Sequence, residues 1–447
     1  MGKLFGTDGV RGVANTELTP ELAFRLGRVA TAHFGKKCAR PVFVVGRDTR
    51  ISGQMLEAAL SAGICSAGGE AIIVGIIPTP AVAYLARTLG AQAGVVISAS
   101  HNPYPDNGIK FFAGNGNKLP DAIEIELEKL VLAEPDLLAR PSGENIGIIK
   151  NRHDLSRSYI EHAISTVSET FKGLKVVVDC ANGASYEVAP VVLRRLGAEV
   201  IVLNDHPIGT NINLKCGSTN LEGLKTAVVS HKADFGIAYD GDADRCLAVD
   251  ETGQVVDGDQ IMVICAMELL RQGKLNDNTL VATVMSNIGL HQAVKRFGGK
   301  VVVTQVGDRY VLESMNAKGY SLGGEQSGHI IFSEYCTTGD GIVTSLQLIA
   351  ALVKSGKKMS ELAALMTIFP QLLQNVRVGS KDGWQDNAAI KAAIKAAEDE
   401  LGETGRVLVR PSGTEPLIRV MAEGPSNDVL ERLVNEVADV IRKELAG

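Results

Sequence analysis

The chain of 447 residues lacks the features of disulfide-stabilised, membrane-spanning and nucleic-acid-binding proteins. Its 7 cysteines are an odd number without a C-x-x-C pair, which favours reduced thiols over a disulfide framework or a zinc site. The 45 Lys and Arg against 51 Asp and Glu give a net charge of −6 without an acidic or basic block, so nothing indicates nucleic acid or anionic lipid. The most apolar stretch, residues 71–86, contains two prolines and is shorter than the ~20 residues that a membrane span needs.

The start of the chain, residues 1–8, also lacks the apolar core of a secretory signal peptide. We therefore expect a cytoplasmic protein without a nucleic-acid or membrane partner. The expected oligomeric state is a homodimer.

Three segments repeat one pattern: a strand, a polar turn, a helix that ends at glycine, and a second strand. The first strands and their turns lie in residues 41–50, 175–185 and 279–289. The glycines and the second strands lie in residues 66–75, 195–204 and 296–305. The Val- and Ile-rich strands are typical of parallel strands that are buried on both faces. The pattern predicts three α/β domains, although generic α/β patterning would produce the same similarity and the same fold class.

The last part of the chain follows a different order. Residues 372–380 predict a strand, residues 386–401 a helix, and residues 405–424 further strands before a final helix. The predicted fold is therefore α/β, with three similar mixed-sheet α/β domains plus a smaller C-terminal α+β domain. The predicted domains are residues 1–153, 154–255, 256–370 and 371–447.

Three aspartates, Asp240, Asp242 and Asp244, alternate with small residues directly after a predicted strand. Carboxylates held within about 4 Å repel each other by roughly 4 kcal/mol per pair at an effective dielectric of 20, and a cation removes that penalty. Hard oxygen ligands suit Mg²⁺. A calcium-binding EF-hand is excluded because Arg245 stands where that loop needs glycine. The pattern predicts a Mg²⁺ site, with a solvated acidic turn as the alternative.

The stretch "LGGEQSGH" carries groups that suit a polar ligand. Its two glycines allow the backbone to pass close to a ligand, while Glu325, Ser327 and His329 offer an acceptor, a hydroxyl and a proton carrier. A purely structural loop is the alternative interpretation.

The stretch "RPSGTEPLIR" begins at Arg410 and ends at Arg419. Its central residues are Ser412, Gly413 and Thr414, whose hydroxyls and backbone N–H groups can form an anion nest. Because arginines bind phosphate through two parallel hydrogen bonds, the stretch predicts a phosphate site.

The stretch "ISASHNP" places Ser100 after a run of strand-forming residues. It lacks the G-x-S-x-G pattern of a hydrolase nucleophile. Adjacent side chains diverge in an extended loop, so His101 does not form a Ser–His pair with it. Together with a Mg²⁺ triad, a phosphate nest and the cations Arg11 and Lys110, the pattern fits a serine that carries a phosphoryl group.

The motifs "ISASHNP", "DGDADR", "GGEQSGH" and "RPSGTEP" occur in this order, one in each predicted domain. Together they resemble the α-D-phosphohexomutase superfamily, and the resemblance spans the whole chain. It implies an isomerase that passes through a phosphoserine and a sugar bisphosphate. The forms of residues 5–12, of residues 306–311 and of the stretch "GEQSGH", which the resemblance identifies as the sugar loop, most resemble a bacterial branch of the superfamily. That branch converts glucosamine 6-phosphate to glucosamine 1-phosphate for UDP-N-acetylglucosamine synthesis. A phosphomannomutase/phosphoglucomutase is the alternative.

The resemblance also implies roles for individual residues. One Mg²⁺ is ligated by the phosphate of Ser100 and by Asp240, Asp242 and Asp244. The transferring phosphoryl group is surrounded by Arg11, Lys110 and Arg245. The sugar hydroxyls are held by Glu325 and Ser327. The phosphate that does not react is clamped by Arg410, Ser412, Gly413, Thr414 and Arg419. Ala243 stands where this metal loop commonly has glycine.

A general base must remove the proton of the attacking sugar hydroxyl. Lys110 is the first candidate, and we expect crowding by Arg11 and Arg245 to lower its pKa for that task. His329 is the second candidate. Two other classes remain as alternatives: an aspartyl phosphatase, which would not need the phosphate clamp, and a non-catalytic sugar-phosphate binding protein.

Overall fold

A computed structural model describes residues 4–6, 8–412 and 416–445 of the chain. The described residues contain four β-sheets, with six, five, four and three strands. Within these ranges, every helix is too short or too polar to cross a lipid bilayer.

The first sheet has the strand order β1-β5-β4-β2-β3-β6. Its strands are β1 Val10–Val13, β2 Val42–Arg47, β3 Glu70–Ile76, β4 Ala93–Ile97, β5 Asp106–Ala113 and β6 Ile148–Asn151. Its helices are α1 Pro20–Gly35, α2 Gly53–Ser66, α3 Thr79–Thr88 and α4 Asp121–Leu132. The strand pairs β2–β3, β2–β4 and β3–β6 are parallel, whereas β5 runs antiparallel to both β1 and β4. The apolar side chains of α1, α2 and α4 form one buried core with the sheet.

Two glycines allow α1 and α2 to pack unusually closely. A Cβ atom added to Gly27 of α1 would lie 2.3 Å from the carbonyl oxygen of Leu60, and one added to Gly63 of α2 would lie 2.1 Å from that of Phe24. Each helix therefore touches the backbone of the other, which fixes α2 beside the sheet.

The second sheet has the order β11-β10-β9-β7-β8. Its strands are β7 Lys175–Asp179, β8 Glu199–Leu203, β9 Phe235–Tyr239, β10 Cys246–Asp250 and β11 Val255–Val256. The helices of this segment are α5 Ser156–Ser165, α6 Val188–Arg195 and α7 Glu222–His231. Strand β7 is parallel to β8 and β9, and β10 returns antiparallel to β9.

The third sheet has the order β13-β12-β14-β15. Its strands are β12 Thr279–Thr283, β13 Lys300–Thr304, β14 Leu322–Gly324 and β15 Ile330–Phe332. The helices of this segment are α8 Gly258–Arg271, α9 Ile288–Arg296, α10 Asp308–Lys318, α11 Gly341–Ser355 and α12 Met359–Ala363. Helix α8 begins with a capping box, in which the side chains of Asp257 and Gln260 each accept from the other's backbone N–H.

The C-terminal sheet is antiparallel, with the order β16-β18-β17. Its elements are β16 Gln371–Arg377, α13 Ala388–Leu401, β17 Arg406–Pro411, β18 Leu417–Glu423 and α14 Asn427–Glu444. Apolar residues of α14 recur at helical spacing and are buried against this sheet, beginning with Leu430, Leu433 and Val434.

The described chain divides into two compact units. One contains the described residues up to Val284 together with Val301–Ala364, and the other contains Met285–Lys300 together with the described residues from Leu365 onward. Helix α9 therefore belongs to the same unit as the C-terminal sheet. The predicted fold class is confirmed, while the boundaries of the four predicted domains stay predictions.

Buried polar contacts explain why α9 belongs to the second unit. The carboxylate of Glu423, which is fully buried, accepts from the backbone N–H of Ile288 at 3.0 Å and from Nε of Arg406 at 2.8 Å. Arg406 also donates to the carbonyl oxygen of Ser286 at 2.6 Å. The first turn of α9 is thus held by β17 and β18 through one carboxylate and one guanidinium.

Candidate active site

The loop after β4 and the loop after β9 bring Ser100 and Asp240 together. Ser100 is 2% exposed, and its Oγ donates a hydrogen bond to Oδ2 of Asp240 at 2.6 Å. Both loops follow the carboxyl ends of strands, which is where ligands bind in open α/β sheets. Two motifs that lie 140 residues apart in the chain therefore meet in one buried site.

The backbone of Ser100 is held in an unfavourable conformation, with φ of +50°. Such left-handed residues cost about 1–3 kcal/mol and persist where their surroundings hold them in place. Here two side chains grip the same two carbonyl oxygens, those of Ser100 and Asn102. Nη2 of Arg50 donates to them at 3.1 and 2.6 Å, and Nδ2 of Asn213 donates to them at 2.8 and 3.1 Å.

Arg50 is itself held by a chain of buried polar contacts. It forms an ion pair with Asp48, and Asp48 also accepts a hydrogen bond from Oγ of Ser98. The same Oγ accepts from the backbone N–H of Ser100 at 2.9 Å. Burial raises the pKa of Asp48, although Arg50 and Ser98 act in the opposite direction. Sequence reasoning treated "GRDTR" as a polar turn and missed Asp48, Arg50 and Asn213, although the charged pair Asp48 and Arg50 within three residues of the end of β2 was an available signal.

The three aspartates of the loop between β9 and β10 are all buried, with exposures of 0%, 2% and 4% for Asp240, Asp242 and Asp244. One carboxylate oxygen from each lies within 4.8 Å of the others. Thr79, at the start of α3, donates from its hydroxyl to Asp242 Oδ2 at 2.6 Å. Ala243, between two of the aspartates, has φ of +59°, a left-handed conformation that favours glycine.

This carboxylate cluster fits a divalent cation. Oδ1 of Asp242 and Oδ1 of Asp244 are buried and accept no hydrogen bond within the described structure. Burial and the charges of Asp244 and Asp242 hold the pKa of Asp240 well above its ordinary value. Burial raises the pKa of Asp244 too, but His329, Lys110 and Arg245 outweigh it, so the net pKa is lowered. Unpartnered buried carboxylate oxygens are hard donors of the kind that Mg²⁺ prefers.

Three cations line the site. Nζ of Lys110 lies 3.8 Å from Asp8, Nη2 of Arg11 lies 3.7 Å from the same carboxylate, and Nε of Arg245 lies 3.9 Å from Asp244. Burial lowers the pKa of Lys110, but Asp8, Asp244 and other carboxylates raise it by more. The net shift is upward, so the expectation that crowding by Arg11 and Arg245 lowers this pKa is wrong.

His329 is buried, and both of its ring nitrogens face protein groups. Nε2 accepts from the backbone N–H of Gly339 at 3.1 Å, and Nδ1 lies 3.5 Å from Oδ2 of Asp244. Burial lowers the pKa of His329, while Asp244 raises it, with a net value of about 9. The hydrogen bond from Gly339 needs an unprotonated Nε2 and acts against that charge. Both ring nitrogens of His329 are therefore held by protein groups.

The sugar loop lies against the metal loop, because the backbone N–H of Cys246 donates to the carbonyl oxygen of Gly328 at 3.0 Å. Glu325 is half-buried, and its Oε1 accepts from the backbone N–H of Gly307 at 2.9 Å. Ser327 is exposed and lies 3.5 Å from Oε2 of Glu325. A cavity of about 250 Å³ opens beside this loop and is bordered by Lys110 and His329.

In the second unit, Arg410 and Arg419 lie directly opposite each other on the antiparallel strands β17 and β18. Both side chains are half-buried, and burial together with Arg419 lowers the pKa of Arg410. Neither forms an ion pair with a described residue. Ser412 is buried, and Lys381, which sequence reasoning missed, donates to its carbonyl oxygen at 2.7 Å.

The predicted site residues therefore fall into two groups. The first unit brings together Ser100, Asp240, Asp242, Asp244, Arg11, Lys110, Arg245, Glu325, Ser327 and His329. The second unit contains Arg410, Ser412 and Arg419. The predicted residues Gly413 and Thr414 lie outside the described residues.

Family models cover nearly the whole chain. The phosphoglucomutase/phosphomannomutase alpha/beta/alpha domains I, II and III match residues 2–137, 157–253 and 257–369. The C-terminal domain of the same family matches residues 373–440.

Full-length relatives narrow this assignment. The chain is 58% identical over 447 residues to phosphoglucosamine mutase of Symbiobacterium thermophilum, covering 100% of both chains. It is 58% identical over 434 residues to phosphoglucosamine mutase of Moorella thermoacetica, covering 97% of this chain and 98% of the relative. A crystal structure of a phosphoglucomutase/phosphomannomutase family protein from Burkholderia thailandensis superposes with a TM-score of 0.82 at 25% identity, covering 98% and 97% of the two chains. The chain belongs to the phosphoglucomutase/phosphomannomutase family and, within it, to the bacterial phosphoglucosamine mutases.

Proposed function

We propose that the protein interconverts glucosamine 6-phosphate and glucosamine 1-phosphate, with Ser100 as the carrier of the transferred phosphoryl group. The observation that carries the proposal is the buried Ser100 hydroxyl, 2.6 Å from the first aspartate of a three-carboxylate cluster. The full-length relatives named phosphoglucosamine mutase support this substrate over mannose or glucose phosphates.

We assign one Mg²⁺ to Asp240, Asp242 and Asp244, together with the phosphate on Ser100. When bound, the ion would neutralise negative charge on the phosphoryl oxygens. A phosphoserine carries a charge of about −1.5 to −2, so phosphorylation would turn the Ser100–Asp240 hydrogen bond into a repulsion between anions. The acidic cluster therefore requires a cation for its own serine to be phosphorylated.

The remaining residues of the first unit position and stabilise the transferring group. Phosphoryl transfer depends mainly on alignment and on stabilisation of charge at the phosphoryl oxygens. Arg11 and Arg245 supply positive charge beside Ser100, and Glu325 and Ser327 hold sugar hydroxyls. Donation from Ser100 gives a sugar bisphosphate, which turns around and returns its other phosphate to Ser100.

Lys110 and His329 are the proposed proton-transfer residues, with Lys110 first. The raised pKa of Lys110 fits a charged group that stabilises the phosphoryl oxygens, and proton removal requires this pKa to fall when the substrate binds. Comparing Lys110→Met with His329→Ala separates the two. Near-normal turnover of Lys110→Met with loss in His329→Ala would reverse the order.

We assign the phosphate that is not being transferred to the C-terminal arginines and their loop. The residues of this clamp are Arg410, Ser412, Gly413, Thr414 and Arg419. A turning intermediate presents its two phosphates to this clamp alternately, so the clamp must accept either one. A cytoplasmic location and a homodimer stay predictions.

A substrate comparison tests the proposal. Purified protein with Mg²⁺ is assayed with glucosamine 6-phosphate, mannose 6-phosphate and glucose 6-phosphate, each primed with the matching bisphosphate. We expect the highest kcat/KM for glucosamine 6-phosphate. A higher kcat/KM for mannose or glucose phosphate would contradict the proposal in favour of a phosphomannomutase/phosphoglucomutase, and release of inorganic phosphate alone would contradict any mutase.

A further inference from the structure

The cavity beside the sugar loop has a boundary that is rich in charge. Its walls come from β5, the turn before α4, α10 and β15, and it contains both Lys110 and His329. Cavities of ~300–1,000 Å³ hold drug-sized ligands, so about 250 Å³ suits a smaller one such as a single sugar ring. The cavity is therefore the natural place for the part of the substrate that lies beyond its reacting hydroxyl.

Three carboxylates line this cavity, and two of them are already paired. Arg309 forms an ion pair with Asp121 and another, at 2.7 Å, with Glu313. Asp308 forms no ion pair within 4.0 Å among the described residues, and one of its oxygens accepts only from the backbone N–H of Arg309 at 2.7 Å. Among the three carboxylates of this cavity, Asp308 is thus the one that has no cationic side chain within ion-pair distance in the described structure.

The backbone fixes Asp308 relative to the sugar loop. Gly307, directly before it, donates its N–H to Oε1 of Glu325 at 2.9 Å, which ties the start of α10 to the motif "GEQSGH". This hydrogen bond occupies one carboxylate oxygen of Glu325. Asp308 is half-buried and lines the cavity wall. The negative charge of Asp308 is also felt by Lys110 and His329, which places it near the reacting end of the site.

We propose that Asp308 binds the 2-amino group of the sugar as an ammonium ion, and so selects amino sugars over sugars with a 2-hydroxyl group. This inference rests on the proposed function. A half-buried carboxylate without a cation attracts a protonated amine strongly, whereas a hydroxyl offers only a neutral hydrogen bond.

The test compares Asp308→Asn with wild type on two substrates, glucosamine 6-phosphate and glucose 6-phosphate. Asparagine keeps the shape and the acceptor for the N–H of Arg309 but loses the charge. Because hydrogen bonds to charged groups contribute more than neutral ones, we expect kcat/KM for glucosamine 6-phosphate to fall about 10- to 100-fold. Turnover of glucose 6-phosphate should change less than about threefold, which corresponds to ~0.7 kcal/mol. Retained turnover of glucose 6-phosphate also shows that the variant is folded.

Two further variants keep the outcome decisive. Glu313→Gln removes a paired carboxylate from the same cavity wall and should not change the preference between the two sugars. Glu325→Gln should weaken both sugars alike. Equal losses on both sugars in Asp308→Asn, or an amine-selective loss in Glu325→Gln instead, would overturn the inference. A wild-type protein that prefers glucose 6-phosphate would instead overturn the proposed function.

Discussion

The two proposed phosphate sites are built in opposite ways. Around Ser100, the backbone is strained and buried, and its carbonyl oxygens are gripped by Arg50 and Asn213. In the C-terminal unit, Arg410 and Arg419 face each other without a carboxylate partner among the described residues. The contacts around Ser100 hold its backbone in one conformation. The two arginines offer positive charge without fixing the position of the anion that binds. The proposed transfer at Ser100 needs precise alignment, and the proposed clamp must accept two different phosphates.

The largest effect is expected from Ser100→Ala. Loss of the phosphoryl carrier should reduce turnover by about 10⁴-fold or more, the scale of removing a nucleophile. Intact-mass measurement after incubation with sugar bisphosphate should find one added phosphate on wild type and none on the variant. Ser333→Ala, an exposed serine outside the site, is the matched control. Retained phosphate on Ser100→Ala would place the carrier elsewhere.

The second largest effect is expected from removing one carboxylate of the aspartate cluster. Asp244→Asn should weaken activation by Mg²⁺ by more than about 10-fold, the lower end for residues that merely support a metal ligand. A chelator should abolish wild-type activity, and added Mg²⁺ should restore it. Titration of Mg²⁺ into the non-phosphorylated protein, followed by calorimetry, measures the same loss without turnover. Unchanged Mg²⁺ affinity in Asp244→Asn would rule out this cluster as the metal site.

The contact of Arg50 with the Ser100 loop is tested by Arg50→Lys, which keeps the charge beside Asp48 but loses Nη2, the nitrogen that donates to both carbonyl oxygens. A misplacement of 1 Å costs about 100-fold, so kcat should fall on that scale while KM changes little. Asn213→Ala should reduce kcat by about 10-fold, in proportion to a loss near 1.4 kcal/mol.

Asn211 provides the control for this pair. It lies in the same loop, and its side chain forms hydrogen bonds with backbone groups of that loop, at His206 and Ile208. Asn211→Ala should keep wild-type kcat. Equal losses in Asn211→Ala and Asn213→Ala would mean that general loop order matters rather than the contact with Ser100.

Substitutions at the arginine pair of the C-terminal unit should change substrate binding more than the chemical step. Arg419→Lys keeps the charge but loses the planar, two-bonded contact with phosphate, so KM should rise about 10-fold with kcat changed only a few-fold. Arg442→Lys, on the exposed side of α14, is the control and should have no effect. A fall in kcat at constant KM would show that the arginine pair takes part in the chemical step and would remove the contrast between the two sites.

The smallest effect concerns stability. Arg410→Met removes a like charge directly opposite Arg419 and should stabilise the protein by up to about 1 kcal/mol. Thermal unfolding should detect this gain at low salt and lose most of it at high salt, because salt screens the repulsion. A loss of stability at low salt would mean that the pair is already balanced by another group.

Local pattern was sufficient for the fold. The predicted parallel pairs β2–β3 and β7–β8 are present, and β12 lies beside β13 in the third sheet. These pairs could be predicted because the turns and the Val-rich strands are visible in short stretches of sequence. The cluster of Asp240, Asp242 and Asp244 was visible for the same reason, since its members are two residues apart.

The contacts that sequence reasoning missed are long-range. Arg50 and Asn213 reach Ser100 across 50 and 113 residues, and nothing near them in the chain indicates that target. The direction of the pKa shift of Lys110 was missed because Asp8 lies about a hundred residues away in sequence and close in space. Charge effects follow the fold, so they could be predicted only after the strands were assembled.

The contacts of Glu423 have a practical consequence for anyone who wishes to study the arginine clamp in isolation. A gene fragment that starts at Gln371 would encode the three-stranded sheet but omit the helix whose first turn that carboxylate caps. Grafting Met285–Lys300 onto such a fragment through a short linker would restore the cap, and spectroscopic work on the clamp should begin from that spliced chain.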